Sequence, residues 1–340
     1  MDVKKIGVLH LNQIGDLVFS LPLLKALREA YPEAAIHSIL RTHLKDLLLH
    51  SPYVDEVIDR KRGAGNSIRL LRRIRQNSYD LLITLSNSFE CLFLTQWSGA
   101  RIKAGFRHPP WDLGLDFKET VEGHHSWYNN VKLLRKLNID VQKTDYVGLL
   151  VLPAGEQDGA IANPFPFSPQ GEYAVFSPGA SARRKVKAWE DTKFAELILL
   201  LEEHHHLTPV LVGGKEDQDA VERIMASVRA KDAGGKVRPI LNLAGKTGLR
   251  DLCYVLRGAR LFVGVDSGIM HLASSFDIPV VGIFGPTDPF YVGPQNRRSR
   301  VVREKMECSP CYLKGCEERP CMKNLDAQRV LEACEELLRI

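Results

Sequence analysis

Along the chain, short apolar runs alternate with stretches in which apolar residues recur every three or four positions. The first pattern predicts strands buried on both faces, and the second predicts helices that cover them. In the first half the reading is strand Lys5–Leu11, helix Asp16–Ala30, strand Ala35–Leu40, helix Thr42–Leu49 and short strand Val54–Asp59. A basic amphipathic helix, Ser67–Asn77, and a strand, Tyr79–Leu85, follow. Leu17, Phe19, Leu21, Leu24 and Leu27 supply the apolar positions of the first helix. Tyr31-Pro32 ends it, because proline disfavours helical backbone in the residue before it.

The period is lost between Pro153 and Pro169, where Pro164, Pro166, Gly155 and Gly159 also fall, and this composition predicts a linker. Beyond it the alternation restarts with strand Tyr173–Phe176, helix Asp191–His205, strand Pro209–Val212, helix Gln218–Ala230 and strand Ile240–Leu243. It continues with helix Leu249–Arg257, strand Leu261–Val265, helix Ile269–Phe276, strand Val280–Phe284 and a final helix, Asp326–Arg339. The expected organisation is an N-terminal α/β domain over residues 1–152, a linker over 153–170, a second α/β domain over 171–325 and a C-terminal helix over 326–340. Two such parallel-sheet domains place a cleft between them, and ligands of these sheets bind beyond the carboxyl ends of the strands.

Composition narrows the class without naming a chemistry. The 340 residues include 46 Lys or Arg and 41 Asp or Glu, a formal net charge of +5, with 44% hydrophobic and 26% charged residues. These proportions exclude a disordered, collagenous or coiled-coil chain. No apolar run approaches the ~20 residues of a membrane span. The first nine residues carry two lysines but neither the apolar core nor the cleavage site of a signal peptide, so the expected location is cytoplasmic. The charge is too small to point to nucleic acid, although a local basic patch can meet an anionic membrane or substrate.

Candidate chemistry falls in the loops after strands. The first, His10 to Asp16, brings a carboxylate to the start of a helix. Asp16 there is either a helix cap or an ionised general base facing the cleft. In the second, Ser177-Pro178-Gly179-Ala180-Ser181 precedes Arg183, Arg184, Lys185 and Lys187, which suits a phosphate but also fits a solvated basic loop. In the third, Asp266-Ser267-Gly268 runs into a helix and presents a hydroxyl and amides at its N-terminus, a natural anion site. Gly285-Pro286-Thr287-Asp288-Pro289 is a fourth strand-end turn. Ala244-Gly245-Lys246-Thr247 fails as a phosphate-binding loop because Ile240 stands where its first glycine must be. No Gly-x-Gly-x-x-Gly follows the first strand, which counts against a dinucleotide oxidoreductase.

Four of the seven cysteines, Cys308, Cys311, Cys316 and Cys321, lie in one short stretch with Pro310, Gly315 and Pro320. Four thiolates can enclose a structural zinc, and two disulfides or four free thiols are the alternatives.

Taken in order, these loops resemble glycosyltransferase family 9, the ADP-heptose:lipopolysaccharide heptosyltransferases. The matching stretches are Ile14-Gly15-Asp16 through Arg28 and Tyr31-Pro32, Pro178-Gly179-Ala180 through Trp189, and Val212-Gly213-Gly214 with Glu216. Leu243-Ala244-Gly245, Val265-Asp266-Ser267-Gly268 with His271, and Gly285 to Pro289 complete the set. The resemblance implies a GT-B fold, two facing Rossmann-like domains, and an inverting transfer from ADP-L-glycero-D-manno-heptose to a sugar hydroxyl of the lipopolysaccharide inner core. It implies Asp16 as the base and Lys187 at the donor phosphates, with Ser181, Glu216, Asp266, Ser267, Gly268 and His271 around the donor. The acceptor would be a lipid-linked oligosaccharide at the inner face of the membrane, which makes the enzyme peripheral to that membrane. Asn12, Arg60 and Arg62 are the candidate acceptor contacts. No cofactor is expected for catalysis, and zinc only as a structural ion. Two other readings stay open: a family 9-like transferase with a different nucleotide sugar, and a non-catalytic nucleotide-binding or zinc-held interaction module.

Overall fold

The computed structural model describes residues 3–110, 112–122, 125–142, 145–153, 171–179, 182–232, 234–235, 237–312 and 315–339. The chain divides into two compact units, Met1–Pro153 and Ala154–Ile340. Apart from Pro153, the expected linker lies outside the described residues.

The first unit runs β1 (Lys5–Leu9), α1 (Ile14–Val18), α2 (Leu21–Ala30), β2 (Ala35–Leu40), β3 (Glu56–Asp59), α3 (Ala64–Asn77), β4 (Leu81–Thr84), α4 (Phe89–Gln96), β5 (Ile102–Phe106), β6 (Phe117–Glu119) and α5 (Ser126–Lys136). The second runs β7 (Tyr173–Ser177), α6 (Asp191–His205), β8 (Thr208–Leu211), α7 (Gln218–Lys231), β9 (Leu241–Asn242), α8 (Leu249–Arg257), β10 (Leu261–Val265) and α9 (Gly268–Ser275). It ends with β11 (Val280–Phe284), α10 (Pro289–Val292), β12 (Ser299–Arg303), α11 (Pro320–Lys323) and α12 (Ala327–Leu338).

Each unit holds one six-stranded sheet, ordered β3-β2-β1-β4-β5-β6 and β12-β11-β10-β7-β8-β9. Every pairing is parallel. Counted from each unit's own first strand, the two orders are the same doubly wound arrangement. Its order reverses between β1 and β4 in one unit and between β7 and β10 in the other. A crevice opens at such a reversal, beyond the strands' carboxyl ends. This is the parallel α/β architecture that the alternation predicts, and it agrees with the GT-B fold that the resemblance implies.

The central strands are apolar throughout because helices cover both faces: all five residues of β10 are buried. In the second unit α12 packs against α6 and the sheet, placing Val330, Leu331, Cys334 and Leu337 in the same apolar core as Phe176, Phe194 and Val263.

Two expectations are corrected. The single helix Asp16–Ala30 is two helices, broken at Phe19 and Ser20. Pro22 explains the break: it has no N–H to donate to the Val18 carbonyl, and its ring clashes with that carbonyl in a continuous helix. The Ser20 hydroxyl completes the corner, donating to the Leu17 carbonyl at 2.6 Å and bonding His10 Nδ1 at 3.1 Å. The segment read as a helix from Thr42 is a 3₁₀ stretch, Thr42–Leu47.

Candidate active site

In the first unit, the loop after β1 and the loop after β4 meet at the reversal of strand order. A cavity of about 210 Å³ lies there, lined by Leu11, Asp16, Phe19, Leu85, Asn87 and Phe106, with Val121, Ser126, Asn129 and Asn130. Two buried asparagines frame it. Asn130 donates to the Phe19 carbonyl at 3.0 Å, and Asn129 accepts from the Glu122 amide at 3.0 Å. Asp16 is half-buried in the first turn of α1. The cap position belongs to Gln13, whose side chain caps nothing. Asp16 is therefore not the helix cap; it is a carboxylate presented to a cavity.

The loop that carries Asp16 is held from behind by a charged network. Arg60 is fully buried; its guanidinium donates to Glu90 Oε2 at 2.8 Å, to the His10 carbonyl at 2.9 Å and to Asn12 Oδ1 at 2.5 Å. Arg41 donates to the same Glu90 oxygen at 2.7 Å and to Asn12 Oδ1 at 3.2 Å. Ser67 donates to the other Glu90 oxygen at 2.8 Å. His10, buried beside Arg60, has its pKa pushed down to about 3, by burial first and by the Arg60 charge second. It is a neutral ring at ordinary pH.

This corrects the reading of Arg60 as a surface contact for an acceptor. Burial and three bonded partners make Arg60 part of the scaffold, with Asn12 bound to it, while Arg62 is exposed on the same loop. The sequence reading missed Glu90 and Arg41, because single charged residues dispersed through a chain carry no spacing signal.

In the second unit the reversal lies at the ends of β7 and β10. Lys187, at the end of the 3₁₀ turn Ala182–Lys187, forms a buried ion pair with Asp266. Thr287, in the turn after β11, donates to the same carboxylate at 2.6 Å. Asp266 stands one residue before the helix cap, which is Ser267, so its carboxylate serves Lys187 and Thr287 rather than α9. The hydroxyls of Ser177 and Ser267 are buried and have no partner among the described residues. A buried unpaired hydroxyl is costly, and two at one strand-end crevice suit a polar ligand. Gly268 opens α9 and His271 is buried within it.

Glu216 is exposed in the turn after β8. Its neighbour Asp217 turns inward and donates nothing; it accepts from the Gly214 amide at 2.8 Å. Its carboxylate fills the space where a Cβ on Gly179 or Gly213 would sit, which explains glycine at both positions. Burial raises the Asp217 pKa above the usual carboxylate range against that amide bond. Ser181 lies outside the described residues. Thr287 is the second-unit residue that sequence reasoning left unassigned, although its strand-end turn was the available signal.

The four clustered cysteines are free thiols. All seven cysteines are unpaired thiols, and among the described residues no three His, Cys, Asp or Glu side chains form a metal-binding group. Cys308 is exposed while Cys321 is buried on α11, with Sγ about 3.0 Å from where a Gly285 Cβ would lie. Burial, and then the other three thiols, push the Cys321 pKa up, so it is a protonated thiol at neutral pH.

Comparison with known proteins agrees with this architecture. The sequence profile of glycosyltransferase family 9 (heptosyltransferase) matches residues 67–322. Lipopolysaccharide heptosyltransferase 3 of Escherichia coli (strain K12) is 27% identical, with 95% of each chain covered. The solved structure of E. coli ADP-heptose lps heptosyltransferase II superposes with a TM-score of 0.80 at 24% identity, covering 98% of each chain. A glycosyl transferase family 9 structure from Veillonella parvula DSM 2008 also gives 0.80 at 24% identity, covering 100% of this chain and 99% of that one. A match over about three quarters of the chain, in a protein with both strand-end crevices furnished, settles the family: the chain belongs to glycosyltransferase family 9 and is a glycosyltransferase.

Proposed function

We propose that this enzyme moves a heptose, with inversion, from ADP-L-glycero-D-manno-heptose to a sugar hydroxyl of the lipopolysaccharide inner core. The observation that carries the reading is the division of labour between the two crevices. One presents a carboxylate to a cavity, and the other gathers a lysine, unpaired hydroxyls and a helix start. The heptosyltransferase names of the similar proteins support the choice of sugar.

The acceptor occupies the first-unit cavity with its hydroxyl against Asp16. That carboxylate takes the hydroxyl proton as the oxygen attacks the anomeric carbon. The bond from that carbon to the diphosphate breaks, and ADP leaves with the electron pair. Lys187, Ser267 and the amides opening α9 stabilise the charge that gathers on the diphosphate. Ser181 joins them at the phosphates, and Glu216 holds the nucleoside. Asp266 holds Lys187 in place through their buried ion pair.

No helix among the described residues is long and apolar enough to cross a membrane. A lipid-linked acceptor would then be reached from the membrane surface, where exposed Arg62, Arg69, Arg72 and Arg75 on and beside α3 meet anionic headgroups.

Calorimetric titration with ADP and with UDP, on the wild type and on Lys187→Ala, tests the donor half. ADP is expected to bind, to bind more tightly than UDP, and to be weakened by the substitution. Preference for UDP would move the donor to another nucleotide sugar, and unchanged ADP affinity in Lys187→Ala would remove Lys187 from the phosphate site.

A further inference from the structure

The Lys187–Asp266–Thr287 cluster draws on three separate turns, and two of them, those of Lys187 and Thr287, are gripped by the chain that follows β12. One arm of that chain, residues 309–312, holds the turn after β11. The Ser309 hydroxyl donates to the Gly285 carbonyl at 2.6 Å, and the Cys311 and Tyr312 amides both donate to the Pro286 carbonyl, at 3.1 and 2.8 Å. The next residue in that turn is Thr287, whose hydroxyl bonds Asp266. The other arm, residues 319–325, holds the turn that ends in Lys187. Arg319 Nη1 donates to the Ala188 carbonyl at 2.9 Å and to the Lys185 carbonyl at 3.3 Å. Trp189 Nε1 donates to the Leu325 carbonyl at 2.9 Å.

The Lys185 carbonyl also accepts from the Ala188 amide at 3.0 Å, and an arginine that reaches both that carbonyl and the Ala188 carbonyl fixes the orientation of the end of the turn. Lys187 lies between the two residues so held. Arg319 and Tyr312 both adopt left-handed backbone, with φ of 44° and 55°. Non-glycine residues keep that conformation where surrounding contacts over-determine it. The two arms are thus fixed elements, and each ends one residue from a member of the Lys187–Asp266–Thr287 cluster.

We propose that Arg319 is a positioning residue for transfer: it sets the turn that carries Lys187, while the Tyr312 arm sets the turn that carries Thr287, so that the lysine meets the donor diphosphate in one geometry. The proposal rests on the reading of Lys187 as a diphosphate contact. It gives the cysteine-rich segment a task as backbone strapping, independent of any metal.

The test measures ADP affinity by calorimetry, together with the KM for the ADP-sugar and for the acceptor, in Arg319→Met, Arg319→Lys and Lys187→Ala. Thermal melting of each variant is recorded in parallel. Arg319→Met is expected to weaken ADP about tenfold and to raise the donor KM by the same factor, with the acceptor KM unchanged. Arg319→Lys, which keeps a donor within reach of one carbonyl, recovers part of that loss. A merely structural arginine would lower the melting temperature and leave the ADP affinity of the folded protein at the wild-type value. Wild-type ADP affinity in Arg319→Met alongside a loss in Lys187→Ala overturns the proposal and leaves the Lys187 reading standing. Wild-type affinity in Lys187→Ala overturns both. If Arg319→Met does not fold, Arg319→Lys carries the test: a weakened ADP affinity supports the proposal, and an unchanged one removes it.

Discussion

The two units share a strand order and differ in what stands at its reversal. In the first, the crevice holds a cavity with a half-buried carboxylate, and its charged scaffold of Arg60, Arg41 and Glu90 lies behind the loop. In the second, the charged pair itself occupies the crevice, and the scaffold behind it is backbone strapping. Topology therefore supplies the place and side chains supply the task. In the first unit the Arg60 and Arg41 guanidiniums bond Glu90 and Asn12, and Arg60 also bonds the His10 carbonyl. In the second unit Lys187 is paired with the Asp266 carboxylate, which also accepts from Thr287.

The comparison breaks most sharply at Asp16. Asp16→Asn keeps the shape and removes the base, so transfer is expected to fall by about a hundred- to ten-thousand-fold. ADP affinity, a property of the second unit, should stay at the wild-type value. Loss of ADP binding in Asp16→Asn would show that the units do not divide the work as proposed.

The next effect belongs to the pair. Lys187→Met leaves Asp266 buried and uncompensated except by Thr287, and is expected to destabilise the protein by about 3–5 kcal/mol in urea unfolding. The double variant Lys187→Met/Asp266→Asn should recover much of that stability without recovering ADP affinity. Recovery of both would make the pair a structural bridge with no part in binding.

Legibility follows the physics of each feature. Strands β10 and β11 and helices α6 and α8 appear in the structure with the bounds the pattern predicts, because a buried strand is uniformly apolar and an amphipathic helix has a strong period. Region 86–152 was not assigned from the pattern. There β6 is three half-buried residues, and α5 carries two buried asparagines, Asn129 and Asn130, where its apolar stripe would be read. Of the proposed site residues, Asp16, Lys187 and Asp266 are legible as charges at strand ends. Thr287 is not, because its role depends on the turn after β11 reaching the end of β10, which is a tertiary fact. Arg60 was misplaced for the converse reason: a charge run reads as solvated, and only the fold shows which member of Arg60-Lys61-Arg62 turns inward.

A smaller effect is expected at Arg60. Arg60→Met leaves Glu90 with Arg41 and Ser67, and frees the His10 and Asn12 oxygens that anchor the loop. A loss of about 2–3 kcal/mol in unfolding free energy is expected, with kcat reduced about tenfold as Asp16 shifts and ADP affinity unchanged. If transfer were unchanged and only acceptor KM rose, Arg60 would be an acceptor contact after all.

The smallest effect is a pH dependence confined to the first unit. His10 is held near pKa 3 in the folded protein against 6.5 for an ordinary histidine, so between those values the unfolded chain binds a proton that the folded chain does not. Stability must therefore fall as pH drops below about 6.5, and the fall from this group ends near pH 3. At pH 5.5 the loss from this one group is about 1.4 kcal/mol. His10→Gln keeps a polar side chain between Ser20 and Ser38 and removes the titration, so its unfolding free energy should be flatter than the wild type's between pH 7 and pH 5. Lys187→Met, in the other unit, should leave that slope unchanged. Equal slopes for wild type and His10→Gln would mean that the ring accepts a proton without unfolding, and that the Arg60 scaffold yields to a second cation beside it.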